Sequence, residues 1–187
     1  LKAGETFDTP ESVMTFSHEG LNGMSQNMHL FVKEHIVRGY WKDRERPILV
    51  NNWEATTFSF NEKKILDIAA ATKEIGAEMF VLDDGWFGKR NNDKAGLGDW
   101  YVNENKIKSG MAALCDYVNS KGLKLGIWFE PECVNPDSDL YRAHPDWAIS
   151  IEGRTITLGR NQMVLDLTRK EVRDYIVESV SKILKEY

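Results

Sequence analysis

At 187 residues the chain is long enough to bury a substantial core, and its net charge of −5 comes with no basic block that could follow a phosphate backbone. Charged residues make up 28% and are spread along the whole length, so nucleic acid is not an expected partner. No stretch is apolar enough over a sufficient length to span a bilayer, and the N-terminus lacks the charged-then-hydrophobic pattern of a signal peptide; a cytoplasmic setting without membrane contact is expected.

Residues 1–46 read as a lead-in. Within it, Met28, Leu30, Val32, Ile36 and Val37 fit neither a helical nor a strand period, which leaves helix and strand both open. Ile48-Leu49-Val50 is a short buried strand that opens into Asn51-Asn52-Trp53-Glu54. The Ser59-Phe60-Asn61-Glu62 box predicts a capped helix to Ile75, ended by Gly76. Met79 to Leu82 forms the second strand and runs into Asp83-Asp84-Gly85-Trp86-Phe87. After a Gly- and Asn-rich loop that carries Asp99 and Trp100, Ser109 is placed to cap a helix stopped by Gly122. Leu123 to Phe129 is the third strand, terminating at Glu130-Pro131-Glu132. A second long loop then leads through Val164-Leu165-Asp166 to an amphipathic helix from Lys170 to about Lys185.

Apolar strands alternating with helices imply an α/β fold with a parallel sheet, its crossover helices on one face. A (β/α) TIM-type barrel fits best, with about three of its eight units visible; a closed barrel usually needs about 250 residues, so the chain reads as part of something larger. A doubly wound sheet is the competing architecture, but the first strand-helix turn lacks the glycine fingerprint for dinucleotide phosphates. Polar and aromatic residues gather at the C-terminal ends of the strands, where barrels keep their chemistry. Adjacent carboxylates accept hydrogen bonds and an indole covers an apolar face, a combination suited to a hydroxyl-rich ring.

The runs Asn51-Asn52-Trp53-Glu54-Ala55, Leu82-Asp83-Asp84-Gly85-Trp86-Phe87, Leu97-Gly98-Asp99-Trp100 and Gly126-Ile127-Trp128-Phe129-Glu130-Pro131-Glu132 follow one another in order. They continue through Asn135-Pro136-Asp137-Ser138, His144-Pro145-Asp146-Trp147 and Leu158-Gly159-Arg160-Asn161-Gln162 to Val164-Leu165-Asp166-Leu167. From about Pro47 to its last residue the chain thereby resembles the melibiase-type α-galactosidases of glycoside hydrolase family thirty-six.

The resemblance implies a barrel preceded by a β-sandwich domain, with 1–46 as connector and 47–187 as the N-terminal part of the catalytic barrel. It implies a subsite for terminal α-linked galactose lined by Trp53, Asp83, Asp84, Trp128 and Arg160, with oligosaccharides of the melibiose and raffinose type as substrates. Asp83 and Asp84 would accept from sugar hydroxyls, Trp53 and Trp128 would shape and stack the pocket, and Arg160 would donate. A retaining mechanism needs two carboxyl groups about 5 Å apart. The family's nucleophile lies in a Lys-x-Asp motif on the fourth strand and its acid/base aspartate later still, both expected beyond Tyr187; the 187 residues alone are therefore expected to be inactive. No cofactor is expected.

Other readings of the same residues stand beside this one. Asp83, Asp84, Glu130 and Glu132 could bind magnesium or manganese in a metal-dependent barrel enzyme, although no metal is assigned here. Glu130 and Glu132 could form an acid/base pair, which the resemblance argues against. A non-catalytic carbohydrate-binding or assembly role is the third. Arg160 by itself would be a solvated arginine; Trp86, Trp100 and Trp147 are expected to be structural or rim residues. Cys115 and Cys133 should be free thiols, and the scattered histidines His18, His29, His35 and His144 give no metal spacing. Unpaired edges on a partial barrel invite association, so a homo-oligomer is expected.

Overall fold

Short apolar runs become the parallel strands β1 (Leu49–Asn51), β2 (Met79–Leu82) and β3 (Lys124–Ile127) because each is flanked by turns and followed by a helix that can cover it. The structure, a computed structural model, describes residues 2–156 and 158–187. It divides into two units, one ending at Arg46 and the other running Pro47–Tyr187.

In the first unit α1 (Gly20–Phe31) passes directly into a π turn, Val32–Ile36, closed by Val37 N donating to Val32 O at 2.9 Å. The helical alternative for Met28 to Arg38 is thus the observed one over most of its length. The extra residue in the turn shifts the apolar positions off a 3.6 period, which is why no single period fits them.

In the second unit the strands pair in the order β1-β2-β3, in register through Val50↔Phe80 and Phe80↔Leu125. Two short strand segments differ from expectation at their ends, since Ile48 stays outside β1 and β3 stops at Ile127, two residues before Phe129. After the single turn α2 (Trp53–Thr56), helices α3 (Glu62–Glu74) and α4 (Gly110–Ser120) cover one sheet face, burying Ile65, Ala69, Met111, Leu114 and Val118 with Phe80 and Leu82. The other face carries Leu49, Met79, Val81 and Gly126 and is less covered, Leu49 being 51% exposed.

Both helix stops behave as expected: Gly76 and Gly122 have φ of 82° and 71°, and Ala77 N and Leu123 N reach back to Thr72 O and Val118 O. The helix starts do not. Asn61, not Ser59, caps α3, its side chain accepting from Lys64 N. Glu62 is drawn away from the capping box because it accepts from the Ser109 amide and hydroxyl, and Ser109 in turn makes no side-chain cap on α4. Two predicted local caps are replaced by one contact between helices.

The stretch between β3 and the last helix is more than a loop. Strands β4 (Cys133–Val134) and β5 (Met163–Val164) pair antiparallel, α5 (Asp139–Ala143) follows β4, and the segment has its own core of Val134, Leu140, Trp147, Met163, Leu165 and Val172. Asp99 ties it to the loop after β2 by accepting from the first amides of α5, Asp139 N and Leu140 N, both at 2.9 Å. The final helix α6 (Lys170–Glu186) adds Val172 to this core and Ile183 to the main one. Among the described residues no helix is long and apolar enough to cross a membrane, and both cysteines are free.

Candidate functional site

The C-terminal ends of β1 and β2 are stitched together by two asparagines. Asn51 Nδ2 donates to the Asp83 carboxylate, and its Oδ1 accepts from Trp53 N at 2.7 Å. Asn52 is fully buried; its Oδ1 accepts from Asp83 N at 2.8 Å and its Nδ2 donates to Thr56. The sequence Asn-Asn-Trp thus orients Asp83 and starts the helical turn that carries Trp53. Trp53 is half-buried and meets the edge of Phe58 at 5.0 Å, while Asp83 is half-buried.

Asp84 is held differently. It is 2% exposed, and Arg90, fully buried, grips both its oxygens, Nε to Oδ1 and Nη2 to Oδ2, each at 2.9 Å. The adjacent turn accommodates this only with glycine. A Cβ on Gly96, at φ 80°, would sit 2.8 Å from Arg90 N. Lys106, also buried, donates its ammonium to Phe58 O, Gly85 O and Arg90 O at 2.9–3.0 Å, tying the loops after β1 and β2 into one body. Burial pushes its pKa down to about 8, against the pull of the Asp84 carboxylate.

Trp128 stands at the end of β3. Its amide donates to Leu82 O and its carbonyl accepts from Trp86 Nε1 at 2.9 Å, so the backbone of this residue is bonded to the β2 end on both sides. Phe87 lies nearly parallel to its ring, 15° apart at 6.2 Å. Trp86, Trp100 and Trp147 are 0%, 6% and 8% exposed and pack in the cores, as structural residues should.

Arg160 sits at the tip of a tight turn in which Gln162 N donates to Gly159 O, and Arg160 and Asn161 both take positive φ, 51° and 60°. Its side chain is exposed. The turn is anchored from below: Gln162 Nε2 donates to Glu130 at 2.7 Å, and Asn161 O accepts from Asn135 Nδ2 at 2.8 Å. Asn135 Oδ1 also accepts from Arg90 Nη1 at 2.8 Å, which joins Asp84 and the Arg160 turn through three buried or turn residues.

Trp53, Asp83 and Asp84 therefore share one hydrogen-bonded assembly, Trp128 is bonded to the same β2 end, and Arg160 reaches it through Asn135. The four-carboxylate metal set is not assembled. Among the described residues, Glu130 and Glu132 gather with Cys133, their ligand atoms within 4.8 Å, rather than with the aspartates, whose oxygens are taken by Asn51, the Asp84 amide and Arg90. Burial, then Glu130 and Glu132, push the Cys133 thiol up to about 11. Sequence reasoning missed Arg90 and Lys106. The only signal for either was a cation among glycines and asparagines just beyond a pair of carboxylates.

An exposed guanidinium, a half-buried carboxylate and indole faces around strand ends are equipped to hold a polyhydroxylated ring. Comparison with known proteins gives the chain's family. The family model described as Melibiase matches residues 6–187. The α-galactosidase AgaA of Geobacillus stearothermophilus is 53% identical over 98% of this chain, which spans only 25% of that protein. A crystal structure of an AgaA variant with 1-deoxygalactonojirimycin superposes with a TM-score of 0.86 at 52% identity, covering 91% of this chain and 24% of that one. Another, with stachyose, gives 0.84 at 53% identity over 89% and 23%.

Proposed function

This chain belongs to the melibiase family, and we propose that Pro47–Tyr187 is the opening portion of a (β/α) TIM-type barrel whose strand ends bind a terminal α-linked galactose. The chain spans about a quarter of the length of the curated relatives it matches, 25% for AgaA, so the complete activity is that of a longer polypeptide: retaining hydrolysis of α-galactosides of the melibiose and raffinose type. Residues 1–46 are the connector from a preceding domain.

In this reading Asp83 and Asp84 accept from ring hydroxyls. Asp84 does so with lone pairs left over from Arg90, since a carboxylate offers about four acceptor sites. Trp53 and Trp128 bound the apolar face of the sugar, and Arg160 donates to its oxygens. None of these five is a nucleophile or an acid/base; the 187 residues position sugar and do not cleave it. The less covered sheet face around Leu49 and the open strand edges favour self-association of the isolated chain. The observation that carries the reading is the β1–β2 strand-end assembly, in which two asparagines aim Asp83 beside Trp53.

Titration calorimetry of the 187-residue chain with D-galactose, D-glucose as control, tests it alongside hydrolysis of an aryl α-galactoside. Galactose should bind in preference to glucose, Asp83→Ala should weaken binding tenfold or more, and no aryl group should be released. Equal binding of both sugars, or none, would refute the pocket. Turnover that vanishes in Asp84→Ala would show catalytic carboxylates among these residues and refute the division of labour.

A further inference from the structure

Asn135 is fully buried and uses every hydrogen-bonding site it has. Its Oδ1 accepts from Arg90 Nη1 at 2.8 Å and from Leu97 N at 3.0 Å; its Nδ2 donates to Asn161 O at 2.8 Å and to Asp93 O at 3.2 Å. Two donors face one end of the amide and two carbonyls face the other, so only one orientation of the side chain satisfies all four. On one side Arg90 passes the position on to Asp84 through its two-pronged grip. On the other, Asn161 is the second residue of the left-handed turn whose first residue is Arg160. A left-handed arginine is held against its own backbone preference, so the turn depends on what anchors it.

We propose that Asn135 is a positioning residue that sets the placement of Arg160 relative to Asp84, so that the two ends of the sugar subsite are held as one unit. The inference rests on the galactose-subsite reading for its functional consequence. The coupling of Asn135 to the turn stands apart from it. No aspartate, serine or leucine can replace Asn135 in this role, because the site needs two acceptor lone pairs and two N–H groups on one planar, uncharged head.

Asn135→Asp separates the two halves. A carboxylate keeps the acceptors for Arg90 and Leu97 N but sets oxygen against the carbonyls of Asp93 and Asn161, which releases the turn while leaving Asp84 gripped. D-galactose binding should weaken about tenfold, as expected when a buried hydrogen bond is lost to an unsatisfied carbonyl. In a double-mutant cycle Arg160→Ala should then add little to Asn135→Asp, whereas Asp83→Ala should add its full effect. Independently of sugar, trypsin should cut after Arg160 about tenfold faster in Asn135→Asp, with cutting after Arg154, which is also exposed, unchanged.

An additive cycle with Arg160, or unchanged cleavage at Arg160, would overturn the proposal. If wild type fails to bind galactose, the subsite reading falls, and the trypsin result still decides whether the amide holds the turn. Should Asn135→Asp raise cleavage at every site through general unfolding, hydrogen exchange on the wild-type chain takes its place. There galactose should slow the Leu97 and Gln162 amides together, and slowing of Leu97 alone would refute the coupling.

Discussion

The end of β2 and the tip of the Arg160 turn each contribute a charged side chain to the proposed subsite, and they are built on opposite principles. Asp84 is buried and charge-paired with Arg90, whose carbonyl is held by Lys106, all three residues on the loop that follows β2. Arg160 is exposed on a two-residue turn in a disfavoured backbone region, anchored by Asn135 and Gln162 at the margin of the smaller core around Val134 and Met163. Stability and placement are concentrated at the first end; at the second, placement is bought with backbone strain. Substitutions at the two ends should therefore part company, affecting stability at one and binding at the other.

Removing Arg90 should give the largest effect. Arg90→Met leaves the Asp84 carboxylate buried without its partner, which costs about 3–5 kcal/mol. Arg160→Ala, by contrast, should alter urea-denaturation stability by no more than about 0.5 kcal/mol while weakening galactose binding. The double variant Asp84→Leu/Arg90→Met should be less damaged than Arg90→Met alone, because no charge is then stranded. Equal losses for Arg90→Met and Arg160→Ala would erase the distinction between the two ends.

The same contrast governs what the sequence disclosed. Strands ending in Asn51-Asn52-Trp53 and Leu82-Asp83-Asp84 announce themselves, since an apolar run that stops at polar residues is both a local and a positional signal. The glycine stops at Gly76 and Gly122 were legible for the same reason, each being a requirement of a single turn. Arg90 and Lys106 were not, because a cation six residues past an aspartate reads as a solvated surface charge, and what buries each one, Asn135 for Arg90 and the Phe58 carbonyl for Lys106, comes from more than forty residues away. Ser59 and Ser109 misled in the opposite sense: both had good local capping signals, and Asn61 and the Glu62 contact to Ser109 prevailed. The lobe between Cys133 and Asp166 escaped notice because strands of two residues carry no period. Arg160 was proposed on family likeness alone, its local sequence giving no hint of the anchored turn.

Lys106 supplies a subtler test at the stable end. Its pKa is pushed down to about 8 in the folded chain, below the ordinary lysine value of 10.5. Below pH 8 both folded and unfolded chains carry the proton and the burial penalty is present in full. Between pH 8 and 10.5 the unfolded chain binds more protons, so this group makes stability rise with pH across that window. Measured against Lys106→Met, wild-type stability should gain on the order of 1–3 kcal/mol between pH 8 and 10.5, with the variant as the reference for all other groups. A flat difference across the window would mean that the three carbonyl bonds keep the ammonium at its ordinary pKa.

The smallest effect is expected at the turn, and its sign is informative. At φ 51° Arg160 bears a steric penalty that glycine does not, so Arg160→Gly should raise thermal stability, by about 0.5–1 kcal/mol after the extra entropy of the unfolded glycine is set against the relief. The same change removes the guanidinium proposed to face the sugar. A variant that is slightly more stable and binds galactose less well would locate strain where function is proposed to need it, with Asn135 and Gln162 as the residues that hold it there. A variant that loses stability would mean the arginine side chain itself anchors the turn, which would put both ends of the subsite under the same rule.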